Sequence, residues 1–302
     1  MNLQYHYDLL LNFLKDTVIS NYVYLDVPGY FNVGDNIICL GSLELLKQIP
    51  FNCDYVSTVG NFSQEKIKAS TCIIMQGGGN FGDLYPGANW FRNYIVEHFP
   101  KNRIIFMPQS ITYKDKSKII EDAMVCAKHS DLHIVARDNE SYSILKEYFS
   151  ANKLYLLPDS AIGLYKKLPK ISNIHTNQKL SIVRKDFEIG DFNEDSITGE
   201  KKDWDDILNT PIFNMERLGL KIIHYIKKRT KWNFLKSLSN WYYLKVLYPT
   251  ILKITSGKLL QYSSITTTRL HGYIYASLLH IPVSYIDTKY KKISNYISTW
   301  NR

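Results

Sequence analysis

Near the C-terminal end, Thr266-Thr267-Thr268-Arg269-Leu270-His271-Gly272 sets a guanidinium and an imidazole two positions apart. Arginine presents a planar fork matched to carboxylate or phosphate, and histidine is the side chain whose own proton equilibrium lies near neutral pH. The pair reads as an anion site with a proton donor beside it. The plainer alternative is an arginine paired to a neighbouring carboxylate and a histidine capping its own helix. Gly77-Gly78-Gly79-Asn80-Phe81-Gly82-Asp83 offers a second kind of chemistry, because glycines without a Cβ let backbone approach a ligand closely. Asp83 then points a carboxylate into the crevice beyond the strand, unless it serves as a turn residue bonding backbone. A third stretch, Asn32-Val33-Gly34-Asp35, places Asp35 either as a helix N-cap or beside a ligand; it lacks GxGxxG and so argues weakly for a dinucleotide. Arg184 follows a short apolar run, the same kind of place that Arg269 occupies.

The elements around these residues explain why they could meet. Ser264 to Thr267 is short and β-branched, and the apolar residues from Tyr273 to Ile281 fall at helical spacing, so Arg269 and His271 sit where a strand turns into a helix. Backbone N–H groups left open there, with the positive end of the helix dipole, favour an anion. The same alternation runs along the chain. Strands are expected at Tyr22 to Asp26, Asp54 to Thr58, Thr71 to Gln76, Ile104 to Met107, His133 to Ala136, Leu154 to Leu157, Leu180 to Val183 and Val283 to Ile286. Helices are expected at Leu3 to Thr17, Asn36 to Lys47, Lys116 to Lys128, Ser141 to Phe149 and Arg217 to Arg229, with a last helical segment ending at Trp300. Such order describes α/β architecture with parallel sheets whose binding edges lie at the carboxyl ends of the strands. A chain of 302 residues suits two domains, and the weakly periodic Tyr165 to Gln178 reads as the linker between residues 1–170 and 171–302. The last helix could pack back on the first domain.

Charge is informative by position. Phe187 to Glu216 is rich in acids, whereas Arg217 to Lys258 carries many lysines and arginines and no acid at all. A face that basic implies an anionic partner. Within it, Trp232, Phe234, Trp241, Tyr242, Tyr243 and Tyr248 interleave with lysines, which suits either a packed helix pair with a solvated basic face or peripheral docking on a membrane. With no apolar run of about 18 residues and no signal-peptide pattern, the expectation is a cytoplasmic protein, at the inner face of the membrane if it docks. Cys39, Cys53, Cys72 and Cys126 show neither disulfide nor zinc spacing, and no His/Asp/Glu cluster calls for a metal.

Taken together and in order, Asn32-x-Gly34-Asp35-Asn36, Gly77-Gly78-Gly79-Asn80-x-Gly82-Asp83-Leu84, Pro108-Gln109-Ser110, Ala136-Arg137-Asp138-x-x-Ser141, Pro158-Asp159-x-Ala161, Arg184 and Arg269-Leu270-His271-Gly272 resemble the polysaccharide pyruvyl transferase family. The closing stretch with Tyr290, Lys292 and Ser294-Asn295-Tyr296 is similar to that family's C-terminal end. There are departures: Thr268 stands where an acid is common, Ala88 and Asn89 where His-Gln often follows the Gly-rich loop, and Lys291 where a glycine often precedes the late lysine.

The resemblance implies a GT-B-like architecture, two Rossmann-like domains facing a central cleft. It implies transfer of pyruvate from phosphoenolpyruvate onto two hydroxyls of a sugar as a ketal, in a surface or capsular polysaccharide precursor, with phosphate released and no cofactor. By the same resemblance the second domain holds phosphoenolpyruvate through Arg184 and Arg269, with Leu270 and Lys292 also binding substrate and His271 catalytic, as the general acid or, with the roles reversed, the base opposite Asp83. The first domain carries the acceptor side with Asp35, Gly78, Gly79 and Asn80, and Asp83 as the second catalytic group. The acceptor would be a lipid-linked oligosaccharide or glycoside, and nucleic acid is not a partner. The rival reading is a GT-B glycosyltransferase using a nucleotide sugar, which would need a base-and-ribose pocket that no residues between Arg184 and Arg269 suggest.

Overall fold

The computed structural model describes residues 2–169, 177–186, 188–189, 197–230, 232 and 234–301. In chain order the first half comprises α1 (Leu3–Thr17), β1 (Tyr22–Val27), α2 (Val33–Leu46), β2 (Cys53–Thr58), β3 (Cys72–Met75), β4 (Gly78–Phe81), α3 (Pro86–His98), β5 (Ile104–Ile111), α4 (Lys116–Ala127), β6 (Leu132–Ala136), α5 (Asn139–Tyr148) and β7 (Lys153–Leu156). The second half adds β8 (Lys179–Ile182), β9 (Glu200–Lys202), α6 (Trp204–Leu208), α7 (Pro211–Arg229), α8 (Phe234–Tyr242), α9 (Tyr248–Leu259), β10 (Ser264–Thr267), α10 (Leu270–Leu278), β11 (Val283–Tyr285) and α11 (Lys292–Trp300).

Two parallel sheets result. The larger runs β2-β1-β3-β5-β6-β7, and β4 adds to it along β5 just past the end of β3. The smaller runs β11-β10-β8-β9. Every residue of β1, β3, β5 and β6 is buried, as expected of interior parallel strands covered on both faces. The α/β class expected from alternation is therefore the observed one.

Local signals start the helices. Asn32 caps α2 by accepting the Gly34 N–H at 2.9 Å, Asp138 caps α5 through Ser141 N–H at 2.8 Å, and Thr210 caps α7 ahead of Pro211. Asp35 lies inside the first turn of α2, so the expected capping role belongs to Asn32. The acid-rich stretch contains β9, α6 and the start of α7, while residues 187 and 190–196 lie outside the described residues.

One apolar core covers the far face of the large sheet, through Phe81, Phe91, Phe106 and Phe149. The other core is continuous from sheet to sheet, joining Leu10, Tyr24 and Ile37 to Ile182, Ile251, Tyr275 and Ile293. Helix α2 lies at this seam; fully buried Ile37 and Ile38 each contribute about 1.5–3 kcal/mol by leaving water. Helix α11 crosses to the first half, where Trp300 Nε1 donates to the Arg137 carbonyl at 2.8 Å and the Asp159 N–H donates to Tyr296 at 3.3 Å. The linker position between residues 170 and 171 lies outside the described residues.

Candidate active site

Strands β8 and β10 are neighbours, so the residues just beyond them emerge side by side. Thr268 ties the two ends together, its hydroxyl accepting the Arg184 N–H at 2.9 Å. Both arginines are held by carboxylates. Arg269 meets Asp203 through two bonds of 2.6 and 2.7 Å, with Asp186 at 3.2 Å. Arg184 meets Asp186 at 2.8 and 3.0 Å and Glu188 at 2.6 Å. Burial opposes the charge on Arg269, but Asp203 and Asp186 outweigh it and hold the guanidinium above its usual range.

His271, in the first turn of α10, reaches across to the other half. Its Nε2 lies 3.3 Å from Asp159 Oδ2 and 3.4 Å from Arg137 Nη1. Arg137 follows β6, is 2 % exposed, and donates to the same Asp159 oxygen at 2.7 Å and to Ser110 at 2.9 Å. Burial alone would raise the Asp159 carboxyl, yet the nearby His271 and Arg137 hold it well below the usual carboxylate range. An ionised Asp159 assigns the Nε2 proton to itself, which leaves His271 Nδ1 as the nitrogen free to exchange a proton. That nitrogen faces the start of α2: a Cβ built on Gly34 would stand 2.6 Å from it, so only glycine lets the ring lie there.

Two further carboxyls stand on the first-half side. Burial raises Asp35, with His271, Arg137 and Lys292 pulling the other way. Asp26, near the end of β1, is 9 % exposed and adopts φ +62, a left-handed conformation unusual for a residue with a Cβ. Burial pushes its carboxyl up to about 7 against the pull of Arg92 and Asn80, and its Oδ2 has no hydrogen-bond partner among the described residues. Asn80 accepts from Arg92 Nη2 at 3.0 Å, so the Gly-rich stretch positions an amide beside that acid.

Lys292, the first residue of α11, completes the cationic wall. A Cβ on Gly79 would come within 3.2 Å of Arg137 Nη2 and 3.5 Å of Lys292 Nζ, so a bare backbone at Gly79 is what lets the two cations approach. Burial and the neighbouring arginines lower the Lys292 ammonium, while Glu188, at 3.0 and 3.1 Å, supports it. Glu188 is 3 % exposed and also accepts from Tyr85 at 3.0 Å. A protein carboxylate thus sits among the cations that an anionic ligand would use.

These groups line one cleft of about 920 Å³, which takes in Asp26, Tyr30, Asp35, Gly79, Asn80 and Tyr85 on one side and Arg184, Glu188, Arg269, Leu270, His271 and Lys292 on the other. Gly78 lies just behind, its Cβ position 3.6 Å from Asp35 Oδ1. Asp83 is the exception. Its carboxylate accepts the backbone N–H groups of Lys114, at 2.9 Å to each oxygen, and Asp115, at 2.8 Å, and it does not line the cleft. The expected catalytic Asp83 is corrected by this geometry to a loop-bracing carboxylate, because two backbone N–H groups hold it outside the cleft. The acids placed beside His271 are Asp159 and Asp35.

Sequence reasoning missed Asp26, Asp159, Glu188 and Arg137 as members of the site. For Arg137 the available signal was a charged residue directly after a buried strand, and for Asp159 a Pro-Asp pair shortly after β7. Chemically the cleft can hold a small anion with two charged ends, exchange a proton at His271 Nδ1, and accept or donate one at Asp35 or Asp26. Among the described residues no three His, Cys, Asp or Glu gather as a metal site.

Comparisons with known proteins agree with the order of motifs around this cleft. A crystal structure of a functionally uncharacterised protein from Klebsiella pneumoniae superposes with a TM-score of 0.60 at 20% identity, covering 99% of this chain and 94% of that one, which shows a shared fold. EpsO of Bacillus subtilis (strain 168), which carries a provisional pyruvyl transferase name, is 33% identical over 93% of this chain and 85% of its own length. Pyruvyl transferase 1 of Schizosaccharomyces pombe is 23% identical over 93% of this chain and 70% of its own. The profile described as Polysaccharide pyruvyl transferase matches residues 32–290, the span from the cap of α2 to just before Lys292, which holds most of the cleft lining. With that profile over most of its length and a relative at 33% identity, the chain belongs to the polysaccharide pyruvyl transferase family.

Proposed function

We propose that the protein transfers pyruvate from phosphoenolpyruvate to two hydroxyls of one sugar in a surface polysaccharide precursor, forming a ketal and releasing phosphate. One observation carries this reading: Arg137, Arg184, Arg269 and Lys292, drawn from both halves of the chain, line one cleft around a histidine held by a buried aspartate. Phosphoenolpyruvate bears a carboxylate and a phosphate a few bonds apart, and such a donor needs several fixed cations close together.

In the proposed reaction His271 Nδ1, protonated, gives its proton to the vinyl CH₂. The central carbon becomes electrophilic and takes the first sugar hydroxyl, whose proton passes to Asp35. The C–O bond to phosphate then breaks, the second hydroxyl adds at the same carbon, and its proton leaves with the phosphate. Across both steps one diol and one phosphoenolpyruvate give one ketal and one phosphate. Asp159 keeps the imidazole in the tautomer that presents Nδ1, and Arg137 keeps Asp159 ionised. Asp26, with its open oxygen, lies where a sugar hydroxyl can bond. No metal or cofactor enters this scheme.

The test is incubation with phosphoenolpyruvate and a panel of β-galactoside and N-acetylhexosamine acceptors, following phosphate release and product mass. The expected product has gained one pyruvate less one water. Consumption of a nucleotide sugar with no pyruvylated acceptor would overturn the reading in favour of glycosyl transfer.

A further inference from the structure

Helix α7 is amphipathic, but part of its apolar surface faces outward. Phe213 and Leu220 are buried, whereas Ile212, Met215, Leu218, Ile222 and Tyr225, three or four residues apart along one side, are each more than half exposed. The following segment continues the surface with Trp232, Phe234 and Trp241, also more than half exposed. An exposed apolar face of this extent marks a surface for something else. Arg217, Lys221, Lys228 and Arg229 on the same helix are exposed beside it, and the sequence from Arg217 to Lys258 contains no acid.

We propose that α7 and the Trp232 to Trp241 segment dock the protein on an anionic phospholipid surface. Three observations select this occupant. The first is composition: aliphatic and aromatic side chains flanked by lysine and arginine match the interfacial layer of a bilayer, where rings sit at headgroup level and cations meet lipid phosphates. The second is charge: a second copy of this chain joined through the same face would bring the basic flank against itself, and like charges oppose that pairing. The third is position. His224 and Lys227, on another side of the same helix, line the cleft described above. Docking α7 therefore holds the cleft one helix diameter, roughly 10 Å, from the membrane surface, within reach of an acceptor sugar on a lipid carrier. This last step rests on the proposed pyruvyl transfer; the docking itself does not. No helix among the described residues is long and apolar enough to cross a membrane, so the contact is peripheral.

The experiment is flotation of the full chain with vesicles of phosphatidylcholine alone or with about 30% phosphatidylglycerol, at low and at high salt. The protein is expected to float with the anionic vesicles at least about tenfold more than with the neutral ones, given roughly 1 kcal/mol for each basic residue near the surface. Salt should weaken the difference. Leu218→Glu with Ile222→Glu should abolish flotation, and Lys221→Glu with Lys228→Glu should do so while leaving the apolar face intact. Both pairs lie on the exposed side, so pyruvylation of a water-soluble glycoside should persist. Absence of flotation at low salt overturns the proposal. So does a concentration-dependent dimer in light scattering that the Leu218→Glu, Ile222→Glu pair dissolves, since the face would then belong to a second copy. Flotation without pyruvylation of any acceptor would instead sink the catalytic reading and leave docking standing.

Discussion

At the residue scale, the two halves of the site differ in how tightly their charges are fixed. Arg269, Arg184 and Lys292 each have carboxylate partners, whereas Asp35 and Asp26 are acids that burial raises. Asp35→Asn is therefore expected to lower kcat by about 10²–10⁴-fold, the usual range for loss of a general base. Asp83→Asn should leave kcat within about twofold and cost about 1 kcal/mol of stability through its weakened N–H bonds. Phosphate release and thermal denaturation of the two variants would check this, and the reverse ranking would restore Asp83 to the chemistry. Asp26 makes a separate prediction, on pH. Its carboxyl titrates near 3.8 when the chain is unfolded and is pushed up to about 7 in the fold. Below about pH 4 both states are protonated and Asp26 carries no penalty. As pH rises from there through 7, the unfolded chain ionises first and the folded protein loses stability relative to it. Asp26→Asn should thus gain stability over the parent progressively between pH 4 and pH 7, by on the order of 4 kcal/mol at most. Denaturant unfolding at pH 4, 6 and 8 would show the trend; a gain independent of pH would exclude ionisation as its cause.

At the element scale, the fold was legible wherever a pattern was local. Strand-ending Pro, Gly or Asp and helically spaced apolar residues placed α1 without error and most strands to within a residue or two. What failed had either too weak a local pattern or a non-local cause. Helix α3 begins at Pro86-Gly87 and buries only Phe91, Arg92, Ile95 and Val96, too thin an apolar pattern to stand out. Strand β9, Glu-Lys-Lys, is highly charged and exists through its pairing with β8. Asp26 read as the last residue of a strand, because the groups that surround its buried carboxyl, Arg92 and Asn80, lie far along the chain. One departure from the family pattern now has a physical meaning. Lys291, the N-cap position of α11, has φ +47, where glycine carries no steric penalty. Lys291→Gly is expected to raise stability by about 0.5–1 kcal/mol, and Lys291→Ala to give no such gain. Thermal denaturation of the pair separates relief of backbone strain from loss of the lysine side chain.

At the scale of the whole molecule, the architecture and the gathering of Arg184, Arg269, His271 and Lys292 at one cleft were readable from the order of motifs. The partners of its histidine were not. Asp159 lies 112 positions from His271, and nothing local in either stretch announces the pairing. Gly34 carried a signal that becomes interpretable only with the ring packed against it. The same contact has a kinetic meaning. His271 of the second half already rests against α2 of the first, the apolar core beneath them is continuous, and α11 straps across from the other side. Neither half can open locally without exposing that shared core, so the two are expected to unfold as one cooperative unit. Hydrogen exchange would show this as a common slow opening rate for the buried amides of β1 and β10.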